Sequence, residues 1–374
     1  MEIISGANRI VDVATVCLKA EEQPTYNCEG ARSARMKRSF DPAYLHFGSI
    51  PTFLSECLFM NSKEVLIMEE TLLKKLLLIV NPVSGQKKAK NYVADMMVAF
   101  EEASYEVKTV LTEKDRNAYA ITKEMGAEYD VIVCVGGDGT LKETVCGVME
   151  GGKDQPIGYI PMGTTNDFAK SLKIPTKDVH AAIKNIVNGT PKPVDMGRYE
   201  GENFIYVAGF GNFTAISYAC NQKLKNAIGN KAYYLQAVPD FFRMKPYYAK
   251  VEADGEKFEG KYFYGALSNS YGIGGMPVLH NIGVRFDDGL HELVLVKWFK
   301  NPKELVALAM AMLKKDVIHN PNVIIRHVKE ATFEFDKPTA FTLDGEFGGD
   351  MMEAHMSSTE HAVRIILDHE LENE

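Results

Sequence analysis

The chain has 374 residues, more than the roughly 100 to 200 that one hydrophobic core usually organises, so two domains are the first expectation. With 50 acidic side chains against 42 basic ones, the net charge of −8 provides no positive field to recruit nucleic acid, and an anionic partner must be met by local groups. No run reaches the ~18 apolar residues of a membrane-spanning helix, and the first residues lack the basic start and apolar stretch of a signal peptide.

The cysteines, Cys17, Cys28, Cys57, Cys134, Cys146 and Cys220, show no close pairing of the zinc or dithiol kind. A reduced, cytoplasmic setting fits them, with membrane contact limited to the periphery.

Residues 1–73 carry short apolar pieces broken at Gln23-Pro24, Asp41-Pro42 and Ser49-Ile50-Pro51, with no sustained period, and read as an irregular or disordered extension. Arg32, Arg35, Lys37 and Arg38 form a basic cluster within it that suits either a solvated tail or an anionic lipid surface. Met68 immediately precedes the first patterned segment and is an alternative start of translation.

Regular pattern begins with the apolar run over 76–80, a buried parallel strand closed by Asn81-Pro82. Val93, Met96, Met97 and Phe100 then recur at helical spacing as a core-facing stripe. Strands over 107–111, 131–135 and 157–160 alternate with helices around 118–125 and 141–149, which predicts a parallel sheet covered on both faces. Beyond about Asp195 the strands turn rich in Tyr, Phe and Val, with a hairpin over 248–253, Asp254-Gly255 and 258–267. Helices over 231–244 and 302–315 interrupt this mostly antiparallel half, and extended segments over 323–335 and 363–367 close it.

Three loops should lie at carboxyl ends of parallel strands, where open α/β sheets bind ligands. Glycine matters there because a backbone without Cβ approaches phosphate oxygens closely, and a following helix start supplies N–H donors. The first loop is Asn81-Pro82-Val83-Ser84-Gly85. The second, Gly136-Gly137-Asp138-Gly139-Thr140, sets a carboxylate among three glycines, leaving room for a polyphosphate while Asp138 holds Mg2+ directly or through water. The third runs from Pro161 through Gly163-Thr164-Thr165-Asn166-Asp167 to Phe168-Ala169, with Asn166 or Asp167 also fitting a helix N-cap. Further on, Asp344-Gly345-Glu346 spaces two carboxylates so that an extended backbone would send both to one face; a turn with a solvated Glu is the competing reading.

These loops, in this order and spacing, resemble the diacylglycerol kinase catalytic family, which also includes sphingosine kinases and bacterial lipid kinases. The resemblance runs from about Lys74 to the carboxyl terminus and looks closest to the soluble bacterial members. It implies an NAD kinase/diacylglycerol kinase-like α/β domain with a parallel sheet over 74–196, and a mostly antiparallel β-sandwich domain for the lipid over 197–374. The last ~15 residues are expected to pack back on the first domain. ATP would be held by Asn81, Pro82, Val83, Ser84, Gly85, Thr112, Gly137, Asp138, Gly139, Thr140, Leu141, Lys142, Glu143 and Thr164. Lys142 departs from the family, where many members carry asparagine.

The resemblance further makes Glu346 the base and Asp344 its essential neighbour. It places a Mg2+ site at Asp288 and the carbonyls of Arg285 and Leu290, linked by Asp195 and water to Asp138 and Asp167. The function it implies is Mg2+-dependent transfer of the γ-phosphoryl of ATP to a hydroxyl of diacylglycerol or a related lipid. NAD kinase and a nucleotide- or lipid-binding sensor without turnover are the alternatives. Phe210, Tyr271 and Met276 fit an acyl pocket and core packing equally, and a homodimer is compatible with the sequence.

Overall fold

Leu76 to Val80 are fully buried at the end of strand β1 (Lys74–Val80), which pairs in parallel with β2 (Tyr105–Leu111) and β3 (Val131–Gly136), and β3 pairs in parallel with β4 (Pro156–Pro161). The structure, a computed structural model, describes residues 73–151, 153–212, 244–272, 282–314 and 316–371. The basic cluster, Met68, the helix expected over 231–244, and Met276 lie outside the described residues.

Burial on both faces explains why β1 and β3 read as continuous apolar runs rather than alternating ones. Leu77, Ile79, Ile132 and Cys134 face one side, against α3 (Ala118–Met125) and α4 (Asp138–Gly151). Leu76, Leu78, Val131 and Val133 face the other. There they meet Met96 and Phe100 of α2 (Val93–Glu102) and Ile183 and Ile186 of α6 (Val179–Asn188). The short helices α1 (Ser84–Lys87) and α5 (Asp167–Ser171) follow β1 and β4 in the chain. Three of the four strand ends of this sheet carry the glycine loops.

The remaining strands are β5 (Thr190–Tyr199), β6 (Glu202–Phe204), β7 (Val207–Gly211), β8 (Tyr247–Ala253), β9 (Glu256–Ser268), β10 (His291–Lys297), β11 (Val323–Val328), β12 (Glu330–Leu343) and β13 (Glu346–Leu367). Helix α7 (Pro302–Leu313) starts where Asn301 accepts the N–H groups of Lys303 and Glu304 and Pro302 occupies the first turn. The 323–335 segment is two strands rather than one. Asp254 accepts the Lys329 and Glu330 N–H groups, and the chain turns there from the β10 ladder to the β8 ladder.

Hydrogen bonding joins all these strands into one 13-stranded sheet instead of two separate ones. The cause is the length of β13. At ~3.3 Å per residue its 22 residues are too long for one half. Its first part pairs with β12, while its last residues lie between β5 and β4, with Arg364 and Ile365 opposite Pro156 and Ile157. The proposed boundary near 196 accordingly falls inside β5. Phe210 packs among Phe333, Phe335 and Phe341 with centroids 4.8–5.7 Å apart, so its acyl-pocket reading gives way to a core one. Tyr271, likewise buried, packs edge-on against Phe286.

Candidate functional site

The first loop is held by its own asparagine. Asn81 accepts the Val83 N–H at 3.1 Å and donates from Nδ2 to Thr140 Oγ1 at 3.0 Å, tying the end of β1 to the first turn of α4. Gly85 sits at φ 61°, and a Cβ there would lie 2.9 Å from Met162 Cε, so the residue is glycine for both conformation and space. Gly163 is more constrained still: its Cβ would lie 2.6 Å from the Gly137 Cα, so the second and third loops touch backbone to backbone. Asn166, left-handed at φ 50°, makes no cap to α5. It accepts the Gly163 N–H at 2.8 Å and donates to the Gly163 carbonyl at 3.0 Å, closing its own loop.

These three loops surround a cavity of about 760 Å³ lined by Asn81, Val83, Ser84, Gly85, Gly137, Gly139, Thr140, Glu143 and Thr164 among the expected residues. Lys88, Met162 and Gly163 line it as well. Lys88 was legible as a cation three residues past the loop glycine, about one helical turn, but its short helix gave no pattern to place it. The aligned N–H groups at the start of α4 and the Lys88 ammonium suit an anionic ligand.

Five expected contacts stand elsewhere. Leu141 is fully buried in the core and its N–H bonds to the Gly137 carbonyl, so neither side chain nor amide is left for a nucleotide. Thr112 donates its N–H to Val80 and prolongs the β1–β2 ladder. Pro82, Asp138 and Lys142 are off the cavity wall. Glu143, on the wall, spends one carboxylate oxygen on the Ala118 N–H at the start of α3.

Asp138 is buried at the head of α4. Its Oδ2 accepts the Asp167 N–H at 3.1 Å and the Thr165 hydroxyl at 3.4 Å, while its buried Oδ1 has no partner among the described residues. Burial raises its pKa, the Asp167 N–H opposes that rise, and the Asp167 charge adds to it. A carboxylate with one fixed and one bare buried oxygen suits a hard cation.

The Asp344-Gly345-Glu346 segment is not extended. Asp344 at φ 51° and Gly345 at φ 88° make a two-residue hairpin turn between the paired Leu343 and Glu346, with the primed geometry that Asp-Gly favours. The two carboxylates therefore diverge instead of sharing a face. Asp344 points inward: its Oδ2 accepts the Ile205 N–H at 2.9 Å and its Oδ1 those of Tyr206 and Val207 at 3.0 and 3.2 Å. Glu346 is exposed, and its Oε1 lies 3.9 Å from where a Gly139 Cβ would stand. Lys142 Nζ lies 3.8 Å from Asp344 Oδ2. The turn thus meets the first turn of α4 at Gly139 and Lys142.

Burial pushes the Asp344 carboxyl up to about 6 from its ordinary 3.8, against the lowering effect of the Tyr206 and Ile205 N–H groups, the Lys142 charge and the Val207 N–H. The folded state therefore holds a proton that the unfolded chain releases between these values. Stability contributed by this group is greatest below the unfolded pKa and falls by about 3 kcal/mol as pH rises to the folded one. The carboxylate form of Asp344 fills in over the same range, and an activity that uses that form is expected to show an acid limb in kcat/KM near pH 6. Lys142→Met, which removes a charge that favours the carboxylate, moves that limb upward by about one unit, measurable in a pH–rate profile.

Asp195 is fully buried and stitches the 285–290 loop to β13: Oδ2 accepts the Gly289 N–H and Oδ1 the His361 N–H, both at 2.7 Å. Asp288 accepts the Leu290 N–H at 3.0 Å, and the Leu290 carbonyl lies 3.0 Å from His291 Nδ1. Among the described residues no three acidic, histidine or cysteine side chains cluster as a metal site. That loop offers the Asp288 carboxylate, main-chain carbonyls and the Asp287 carboxylate, which pairs with Arg285 at 3.4 Å.

With the architecture and the facing loops in place, the solved structures that resemble this chain are informative. A crystal structure of a diacylglycerol kinase from Bacillus anthracis str. Sterne superposes with a TM-score of 0.61 at 20% identity, covering 79% of this chain and 97% of that one, which defines the fold. The family model "Diacylglycerol kinase catalytic domain" matches residues 75–199. The diacylglycerol kinase of Bacillus subtilis (strain 168) is 32% identical over 278 residues, 74% of this chain and 91% of the relative. That of Staphylococcus aureus (strain MRSA252) is 32% identical over 304 residues, 80% of this chain and 95% of the relative. The chain belongs to the diacylglycerol kinase family.

Proposed function

We propose that this protein transfers the γ-phosphoryl group of ATP to a hydroxyl of diacylglycerol or a closely related lipid in a Mg2+-dependent reaction. The observation that carries the reading is the meeting of Glu346 with Gly139 at the head of α4, which brings an exposed carboxylate to the edge of a glycine-walled cavity of about 760 Å³. Residues 74–196 bind the nucleotide and 197–374 present the lipid. The loops at Asn81–Gly85, Gly137–Thr140 and Gly163–Thr164 bind the phosphates, and Glu346 takes the proton of the attacking alcohol. Asp344 holds the turn so that Glu346 meets the cavity.

Mg2+ fits the bare buried Oδ1 of Asp138, and a second Mg2+ fits the oxygen donors of Asp288, Arg285 and Leu290. When bound, the cation offsets negative charge on the phosphates. The chain's own groups orient the nucleotide and exclude water. Conversion of radiolabelled ATP to a labelled lipid, using micelles of diacylglycerol, a sphingoid base or phosphatidylglycerol, tests the assignment. Phosphatidic acid is the expected product, and absence of every labelled lipid, with NAD phosphorylated instead, would overturn it.

No described helix is long and apolar enough to cross a membrane. We place the enzyme in the cytoplasm at the membrane surface, with Phe347, 71% exposed and adjacent to Glu346, touching the lipid. Phe347→Ser is expected to raise the KM for lipid in vesicles roughly fivefold, about 1 kcal/mol of lost apolar contact, with the KM for ATP unchanged.

A further inference from the structure

Tyr206 stands beside the Asp344–Glu346 turn and has no part in the proposed phosphoryl transfer. Its backbone is pinned on both sides: the N–H donates to Asp344 Oδ1, and the carbonyl accepts the Asn269 N–H at 2.9 Å and the Ser268 hydroxyl at 3.1 Å. The residue is 6% exposed, and its hydroxyl lies 3.7 Å from where a Gly345 Cβ would stand, at the tip of the turn between Asp344 and Glu346. Among the described residues this hydroxyl makes no hydrogen bond. The ring is buried, but the oxygen is not among the buried side-chain atoms left without a partner, so it reaches the surface beside the turn and is free to bond an entering ligand.

The surroundings indicate what the partner is. Burial, then the charges of Asp344, Asp138 and Asp167, hold the phenol far above its ordinary pKa, so it keeps its proton and acts as a donor. Ionised Asp344, Asp138, Asp167 and Glu346 only accept. An alcohol entering this corner offers one O–H and two lone pairs. The carboxylates can take its proton, and none can donate to its oxygen.

We propose that the Tyr206 hydroxyl is a catalytic contact that donates to the oxygen of the acceptor alcohol and so orients it between Glu346 and the nucleotide. The inference rests on the lipid kinase reading and deepens it. One lone pair of the alcohol oxygen accepts from Tyr206, the alcohol proton faces Glu346, and the second lone pair is left for phosphorus. As the new O–P bond forms and the bond from γ-phosphorus to the bridging oxygen breaks, that proton passes to Glu346, ADP leaves with the bridging oxygen, and Tyr206 keeps its own proton.

The test is Tyr206→Phe in the full chain, which retains the ring and the main-chain bond to Asp344. The expected result is a fall of about tenfold in kcat/KM for diacylglycerol in mixed micelles, the worth of one hydrogen bond, with the KM for ATP and the melting temperature unchanged. A kcat/KM for lipid within twofold of the starting protein overturns the inference while leaving the kinase reading intact. Equal losses toward ATP and lipid also overturn it, because they mark a packing role. If the unaltered protein phosphorylates no lipid alcohol, the kinase reading fails, and this inference fails with it.

Discussion

Glu346→Gln is expected to lower kcat by about 10²- to 10⁴-fold, the usual worth of a positioned proton acceptor, while the KM for ATP stays within about twofold. Its side chain is exposed and makes no hydrogen bond or ion pair among the described residues, so the amide loses basicity without breaking a bond in the fold. Asp344→Asn should behave differently although it lies two positions away. An asparagine tolerates the left-handed turn, but one of its two terminal atoms becomes a donor facing a main-chain N–H of the 205–207 segment. That variant is expected to lose activity and also about 1–3 kcal/mol of stability, read by denaturant titration. Equal stability losses in the two variants, or none in Asp344→Asn, would remove the division of labour assigned to the turn.

Asp138→Asn is the second large effect. The amide keeps an oxygen for the Asp167 N–H and the Thr165 hydroxyl and relieves a charge that burial already disfavours, so the fold should be undisturbed. What disappears is the negative charge behind the bare Oδ1. The expected result is a fall of about 10²- to 10³-fold in kcat/KM for ATP, with the half-saturating Mg2+ concentration raised about tenfold. Isothermal titration with Mg2+ and a non-hydrolysable ATP analogue separates this from misfolding. An unchanged Mg2+ affinity would place the cation on other ligands.

The parts of this molecule that the sequence disclosed are those whose chemistry is contiguous. Gly136 to Thr140 read as a ligand loop at a strand end because strand, glycines, acid and helix start follow one another, and three of those residues line the cavity. Functions divided between distant segments were not legible. The partners of Asp344 are main-chain amides 137 to 139 residues away, so spacing alone suggested an extended pair where a turn stands. Tyr206 looked like any other tyrosine of this half because nothing near it in sequence marks the three carboxylates whose charges reach its phenol. Leu141 shows the converse: adjacency to the loop suggested contact, but one position along a helix rotates a side chain by about 100°, here into the core. The length of β13 was hidden by bulges at its β12 and β5 ladders, which break the alternation that would have revealed it.

That strand has a mechanical consequence. It begins at Glu346 and ends hydrogen-bonded beside the strand that leads into the third glycine loop, so both walls of the cleft hang on a single paired beam. A cleft joined only by slack linkers must draw its walls together around each nucleotide and recover that ordering entropy from binding. Here the separation of Glu346 from the glycine loops is set when the chain folds.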